Sequence, residues 1–181
     1  MHRICNLKKM ENIFDELFPI NRSIMGEGYR HSLKILNRLM PTKNIVFNSG
    51  ENIFDWKVPN EWVIEDAYII TPNGQKICDF KENNLHVVAY SKNINKNISF
   101  ANLKKNLYFI KKNPNAIPYV TSFYKKNWGF CIKYKDFKKL KKKGNYKVVI
   151  KSKFKKGKLL VGEANIKGRT KNEILFTSYL C

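Results

Sequence analysis

The stretch DWKVPNEWVIEDAYIITPNGQKICDF, residues 55–80, decides how this chain is read. An apolar run rich in β-branched and aromatic residues leads into TPNG, residues 71–74. There Pro72 presets its own φ, and Asn73 and Gly74 tolerate left-handed backbone. That chemistry predicts a β-hairpin and sets the middle of the chain as strand-rich.

Working outward, NIVFNSG (44–50) and NNLHVVAYS (83–91) read as further strands. In YKVVIKSKFK (146–155), Val148, Ile150, Ser152 and Phe154 point one way, and Lys147, Val149, Lys151, Lys153 and Lys155 the other. This alternation describes a half-buried strand with a lysine-covered face. Lysines on such a strand also discourage edge-to-edge aggregation. KLLVGEANIKG (158–168) and EILFTSYL (173–180) complete three closing strands, with Gly157 and Gly168 at the turns. The near-continuous apolar run of the last one is expected in the middle of a sheet covered on both faces.

Helical spacing appears in three places. Met10, Ile13, Phe14, Leu17 and Phe18 outline a short amphipathic helix ended by Pro19, and Tyr29, Leu33, Leu36 and Met40 a second one stopped by Pro41. Between them, the Gly26 and Gly28 pair reads as a turn with close packing rather than as a phosphate cradle. Ser99 is placed to cap a helix over FANLKKNLYFI (100–110), with Phe100, Leu103, Leu107 and Ile110 on one face.

The 181 residues are 43% hydrophobic and 13% aromatic, a globular profile large enough for one large domain or two small ones. The first twenty residues hold no apolar block of signal-peptide length, and no later stretch approaches a membrane span, so a cytoplasmic location without membrane partners is expected. Cys5, Cys78, Cys131 and Cys181 lie far apart with no C-x-x-C pair, which predicts reduced thiols rather than a disulfide framework or zinc knuckle.

The net charge of +21 is regional, since residues 125–158 carry fifteen Lys against the single acid Asp136. Only five of the 35 basic residues are Arg, whereas base-edge readout favours the bidentate guanidinium. Sequence-specific nucleic-acid recognition is therefore disfavoured. Non-specific polyanion or nucleic-acid binding at low salt through the lysine-rich strands is the alternative reading.

No catalytic constellation is assembled locally. His2, His31 and His86 stand at no metal-ligand spacing to one another or to Cys or acid, and Ser122 and Ser178 lack a G-x-S-x-G context. Candidate substrate contacts are Arg22, suited to a carboxylate, and Tyr119, Thr121, Tyr124 and Trp128, which lie beside Lys125 and Lys126 in a loop rich in Pro and aromatics. Their competing reading is a structural ion pair for Arg22 and ordinary aromatic core for the loop.

The succession LFPINRSIMGEGYR, FDWKVPNEWVIEDAYI, NLHVVAYS, IPYVTSFYKKNWGFC, GEANIKG and EILFTSYLC resembles a bacterial family of aminopeptidase-like proteins often found among polysaccharide-biosynthesis genes. The resemblance implies an α/β fold like that of zinc-dependent aminopeptidases, carrying an inserted β-rich domain. Residues 1–57 would form its helical start, 58–154 the insertion, and 155–181 the first strands of the core. In the family, a His-Pro pair follows the block matching TSYLC, and that His is the first metal ligand. By resemblance, then, this chain looks like the amino-terminal part of a zinc-dependent hydrolase of an amide bond, cut before its metal site. No metal ligand, catalytic residue or bound zinc is expected in the chain itself. The implied substrate is peptide-like or an amide-containing glycan precursor.

Overall fold

The computed structural model describes residues 2–180, with side chains from residue 7 onward. Two helices open the chain, α1 (His2–Leu17) and α2 (Glu27–Asn37). Strands β1 (Lys43–Asn48), β2 (Asn52–Ile53), β3 (Trp56–Lys57), β4 (Glu61–Ile70), β5 (Lys76–Ile77) and β6 (Ile94–Ser99) follow. Then come α3 (Phe100–Lys104), β7 (Leu107–Tyr108), β8 (Phe130–Cys131), α4 (Tyr134–Phe137), β9 (Asn145–Lys155) and β10 (Lys158–Glu163). The architecture is mixed α/β, with several small sheets and few helices. No described helix is long and apolar enough to cross a membrane.

The chain divides into two compact units, one formed by Met1–Glu61 with Lys155–Cys181 and the other by Trp62–Phe154. In the first, β1 and β10 form an antiparallel ladder running from Lys43 opposite Glu163 to Asn48 opposite Lys158. Met25, Leu33, Ile35 and Val58 are buried there. The start of α2 depends on Gly28, because a Cβ at that position would lie 2.0 Å from the Asn21 carbonyl oxygen. Gly26 before it has φ 128°, so the glycine pair serves backbone geometry and close approach.

The second unit is built on a four-stranded sheet of order β5-β4-β9-β6. The expected hairpin joins β4 to β5, with Ile69 opposite Ile77. Its turn is closed by Thr71, whose N–H donates to the Gln75 carbonyl at 2.9 Å and whose hydroxyl accepts from the Gln75 N–H at 3.1 Å. Along β9, Tyr146, Val148, Ile150 and Ser152 are buried, and Lys147, Lys151, Lys153 and Lys155 are exposed. Val149 departs from the alternation and is buried, whereas Phe154, expected inward, is exposed near the strand's end. Ser99 caps α3 by accepting from the Asn102 N–H at 3.4 Å. Phe109 stacks on Phe137 at 4.2 Å, with Phe100 and Tyr134 around them.

Four expectations change. NNLHVVAYS is not a strand: Asn83 accepts from the Leu85 N–H and starts a 3-10 turn over Asn84–His86, leaving only isolated bridges from Val87 to Phe130 and from Ala89 to Thr121. The helix at Phe100 ends at Lys104, since Leu107 and Tyr108 pair instead with Phe130 and Cys131 in a parallel ladder. EILFTSYL forms no strand, because no neighbouring strand pairs with it among the described residues, and Ile174, Leu175, Phe176 and Tyr179 stand exposed. Finally, α1 has the expected helical form, yet Met10, Phe14 and Phe18 on its apolar stripe are exposed.

Candidate functional site

The loop that carries four of the five candidate contacts is held to the segment before β6 by a set of backbone bonds. Val88 donates to the Gly129 carbonyl at 3.0 Å, Ala89 to Val120 at 2.9 Å, Ser122 to Ala89 at 2.9 Å and Lys92 to Asn127 at 2.9 Å. Ser91, fully buried, fixes the same place through its side chain. Its hydroxyl donates to the Val88 carbonyl at 2.6 Å and accepts from the Gly129 N–H at 3.2 Å. Its carbonyl takes the Trp62 indole N–H at 3.0 Å and the Ser152 hydroxyl at 2.7 Å. Such a satisfied buried network makes the base of the loop rigid. Gly129 is needed there, since a Cβ would lie 2.8 Å from the Tyr108 ring and 2.9 Å from Val88.

On this base rises a series of rings. Trp62 meets Tyr90 at 5.6 Å, Tyr90 meets Phe123 edge-on at 4.9 Å, and Phe123 meets Tyr124 edge-on at 5.0 Å. Centroid separations in this range are those of favourable aromatic pairs. Tyr90 is buried and held at φ 63°, a left-handed conformation uncommon for a bulky residue and tolerated where the surroundings fix it. The series runs from buried Trp62 to Tyr124, which is 92% exposed. Tyr119 is 67% exposed. Thr121 is exposed, with its hydroxyl accepting from the Phe123 N–H at 3.3 Å, and Trp128 is half-buried. The aromatic loop thus divides: Phe123 packs between Tyr90 and Tyr124, Trp128 is half-buried, and Tyr119 and Tyr124 are exposed.

Arg22 lies in the first unit and is half-buried in the connection before α2. Its Nη1 donates to the Leu17 carbonyl, and its buried Nε has no hydrogen-bond partner among the described residues. The stronger charge cluster of that unit is elsewhere. Arg30 on α2 grips Glu61 with both terminal nitrogens, at 2.9 and 3.2 Å, and Lys155 reaches the same carboxylate at 3.5 Å. The Glu61 side chain is only 3% exposed. Burial alone would push its carboxyl up, but the Arg30 hydrogen bond and charge, helped by Lys155, hold it below the ordinary carboxylate range. Glu61 and Lys155 are the residues at which the chain leaves and re-enters the first unit, so their ion pair closes that crossing. Sequence reasoning missed this cluster, whose partners lie 31 and more positions apart. The one local hint was an acid at the first position of β4, directly ahead of the apolar run Trp62, Val63, Ile64.

The described residues do not fit a zinc centre, for they contain no group of three or more His, Cys, Asp or Glu able to hold a metal. His31 is exposed on α2, and His86 turns its Nδ1 to the Cys131 carbonyl at 2.8 Å. Burial pushes the Cys78 thiol up, and the Cys131 thiol up to about 12, so neither is a thiolate at neutral pH. Both are free, as expected. His2, Cys5 and Cys181 lie outside the described side chains.

The lysine face of β9 is partly neutralised. Lys153 pairs with Glu65 at 2.9 Å, and Lys155 is engaged with Glu61. Directly opposite Lys147 and Val149 on β6 stand Asn97 and Asn95, not further cations. A DNA duplex is expected to bind this face weakly in low salt and to be released by about 150 mM salt, where the screening length falls to roughly 8 Å. Fluorescence anisotropy across a salt series reads the effect. Sub-micromolar binding that persists at that salt would overturn it.

A family model described as a domain of unknown function (DUF2172) matches residues 61–153, slightly more than half of the chain. The chain belongs to the DUF2172 family. Among curated proteins, this DUF2172 chain is 45% identical over 170 residues to a Clostridium acetobutylicum protein provisionally named a polysaccharide biosynthesis protein with an aminopeptidase-like domain. The match covers 94% of the chain and 39% of that relative. A crystal structure from Clostridium acetobutylicum, provisionally named a peptidase, superposes with a TM-score of 0.80 at 43% identity, covering 86% of the chain and 36% of the other. The chain therefore spans about two fifths of the length of the relatives it matches. The resemblance to aminopeptidase-like proteins read from the sequence blocks stands in these comparisons.

Proposed function

We propose that this chain acts as the amino-terminal, substrate-contacting part of a zinc-dependent, aminopeptidase-like amide hydrolase in the cytoplasm. Its substrate would be a peptide-like compound or an amide-containing glycan precursor. The observation that carries the reading is the 45% identity spanning 94% of the chain to a protein whose name joins polysaccharide biosynthesis with an aminopeptidase-like domain. In this reading the first unit supplies the start of the hydrolase fold. The second is an insertion that offers Tyr119, Thr121, Tyr124 and Trp128 to substrate, and Arg22 is a candidate carboxylate contact. In this reading the metal ligands and the general base would come from residues other than these, since the donors among the described residues do not fit the metal.

The reading makes a direct expectation for the purified 181-residue chain. Elemental analysis should find no stoichiometric zinc, and aminoacyl amides should remain uncleaved. One tightly bound equivalent of zinc would sink the assignment, since a catalytic zinc site needs about three protein ligands that this reading places elsewhere.

A further inference from the structure

The outward end of the aromatic series has a chemistry of its own. Tyr124 is nearly fully exposed although its loop is tied down by backbone bonds and its ring is braced by Phe123. An exposed ring on an ordered base loses little freedom when something lies against it. Lys125 and Lys126 follow immediately. Among the described residues neither has a carboxylate within ion-pair distance. The Lys126 ammonium sits 5.9 Å over the Phe154 ring at the end of β9, the strand that also presents Lys151. Trp62–Phe154 contains no arginine, so the planar fork that grips phosphate or a base edge is missing and the cations act as point charges. Rings for stacking, lysines for spaced negative charge and a Thr121 hydroxyl at the surface form a combination suited to a sugar chain bearing carboxylates.

We propose that the 119–128 loop is a binding platform for an anionic, uronate-type oligosaccharide. Tyr124 and Tyr119 would stack on the C–H faces of the sugar rings, and Lys125 and Lys126 would meet their carboxylates. This rests on the hydrolase reading and deepens it by naming the anionic glycan that would carry the amide of its substrate. The test needs no hydrolysis, so failed binding leaves the zinc and activity expectations standing.

The experiment is isothermal titration of the 181-residue chain at about 150 mM salt, where screening removes purely diffuse attraction. Three probes are compared: tetragalacturonate, the neutral cellotetraose, and tetraglutamate as an anion without sugar rings. Tetragalacturonate should bind most tightly. Tyr124→Ala should weaken it about fivefold, the size of one lost stacking contact. The double variant Lys125→Gln, Lys126→Gln should weaken it by a similar factor and flatten its dependence on salt. These are surface changes, so far-UV circular dichroism should be unaltered. Equal binding of tetraglutamate, equal binding of cellotetraose, an unchanged affinity in Tyr124→Ala, or no binding of tetragalacturonate would each overturn the proposal.

Discussion

Phe130→Ala is expected to destabilise the second unit by about 4 kcal/mol, the usual cost of emptying a buried phenylalanine site. Phe130 is fully buried in β8, within a run of buried residues from Gly129 to Ile132. Its backbone stays committed through the N–H bond to the Asn106 carbonyl and the bridge to Val87, which limits collapse into the vacated space. A domain of this size is stable by only about 5–15 kcal/mol, so a loss of this size leaves it near the edge of unfolding. Urea unfolding followed by far-UV circular dichroism measures it. A midpoint shift equivalent to under about 1 kcal/mol would mean that the Phe130 site collapses without leaving a cavity.

Glu61→Ala is expected to cost the first unit about 2 kcal/mol, because charge-assisted hydrogen bonds to a buried carboxylate are lost while Arg30 keeps only its exposed partner Glu27. Arg30 would lose two hydrogen bonds and Lys155 its ion pair. The effect is also visible in pH. The folded-state pKa of Glu61 lies below its ordinary value of 4.5, so the stabilisation is present above that value and lost as pH falls through the folded pKa. Glu61→Gln, which keeps the shape and removes the charge, should therefore flatten the decline in stability on acidification below about pH 4.5. It should not abolish the decline, since Asp79, Glu65 and Glu51 are also held low by their partners. Thermal melts of wild type and Glu61→Gln between neutral and acid pH decide the matter. Parallel curves would show that the cluster makes no net contribution.

The features legible in the sequence were those whose causes are local. The hairpin at residues 71–74 announced itself because Pro, Asn and Gly carry turn chemistry in their own backbones. The Ser99 cap and the lysine alternation of β9 likewise depend on a few consecutive residues. What misread were segments whose fate is set by distant partners. Leu107 keeps helical spacing with Leu103, yet it and Tyr108 leave the helix to pair with β8. The β-branched run in NNLHVVAYS looks like a strand, yet Asn83 offers its first residues a capped turn instead. Residues 173–180 have strand composition, and a strand needs a neighbour before its backbone groups can form a ladder. At the candidate site, exposed Tyr119 and Tyr124 could be proposed from composition. Trp62, Tyr90 and Ser91 beneath them could not, because neither a left-handed tyrosine nor a hydrogen bond from Ser152 to the carbonyl of Ser91, 61 positions away, has a local signature.

If these residues belong to an amide hydrolase whose metal ligands lie outside them, joining residues 1–181 to the remaining portion of the Clostridium acetobutylicum relative should bring metal and activity together, read by zinc content and aminoacyl-amide hydrolysis on one sample. The joined protein is expected to hold about one or two equivalents of zinc and to release amino acid from the amide, both lost on chelation. A folded joined protein that binds zinc yet cleaves no aminoacyl or glycan amide would contradict the account, as would hydrolysis that survives removal of the metal.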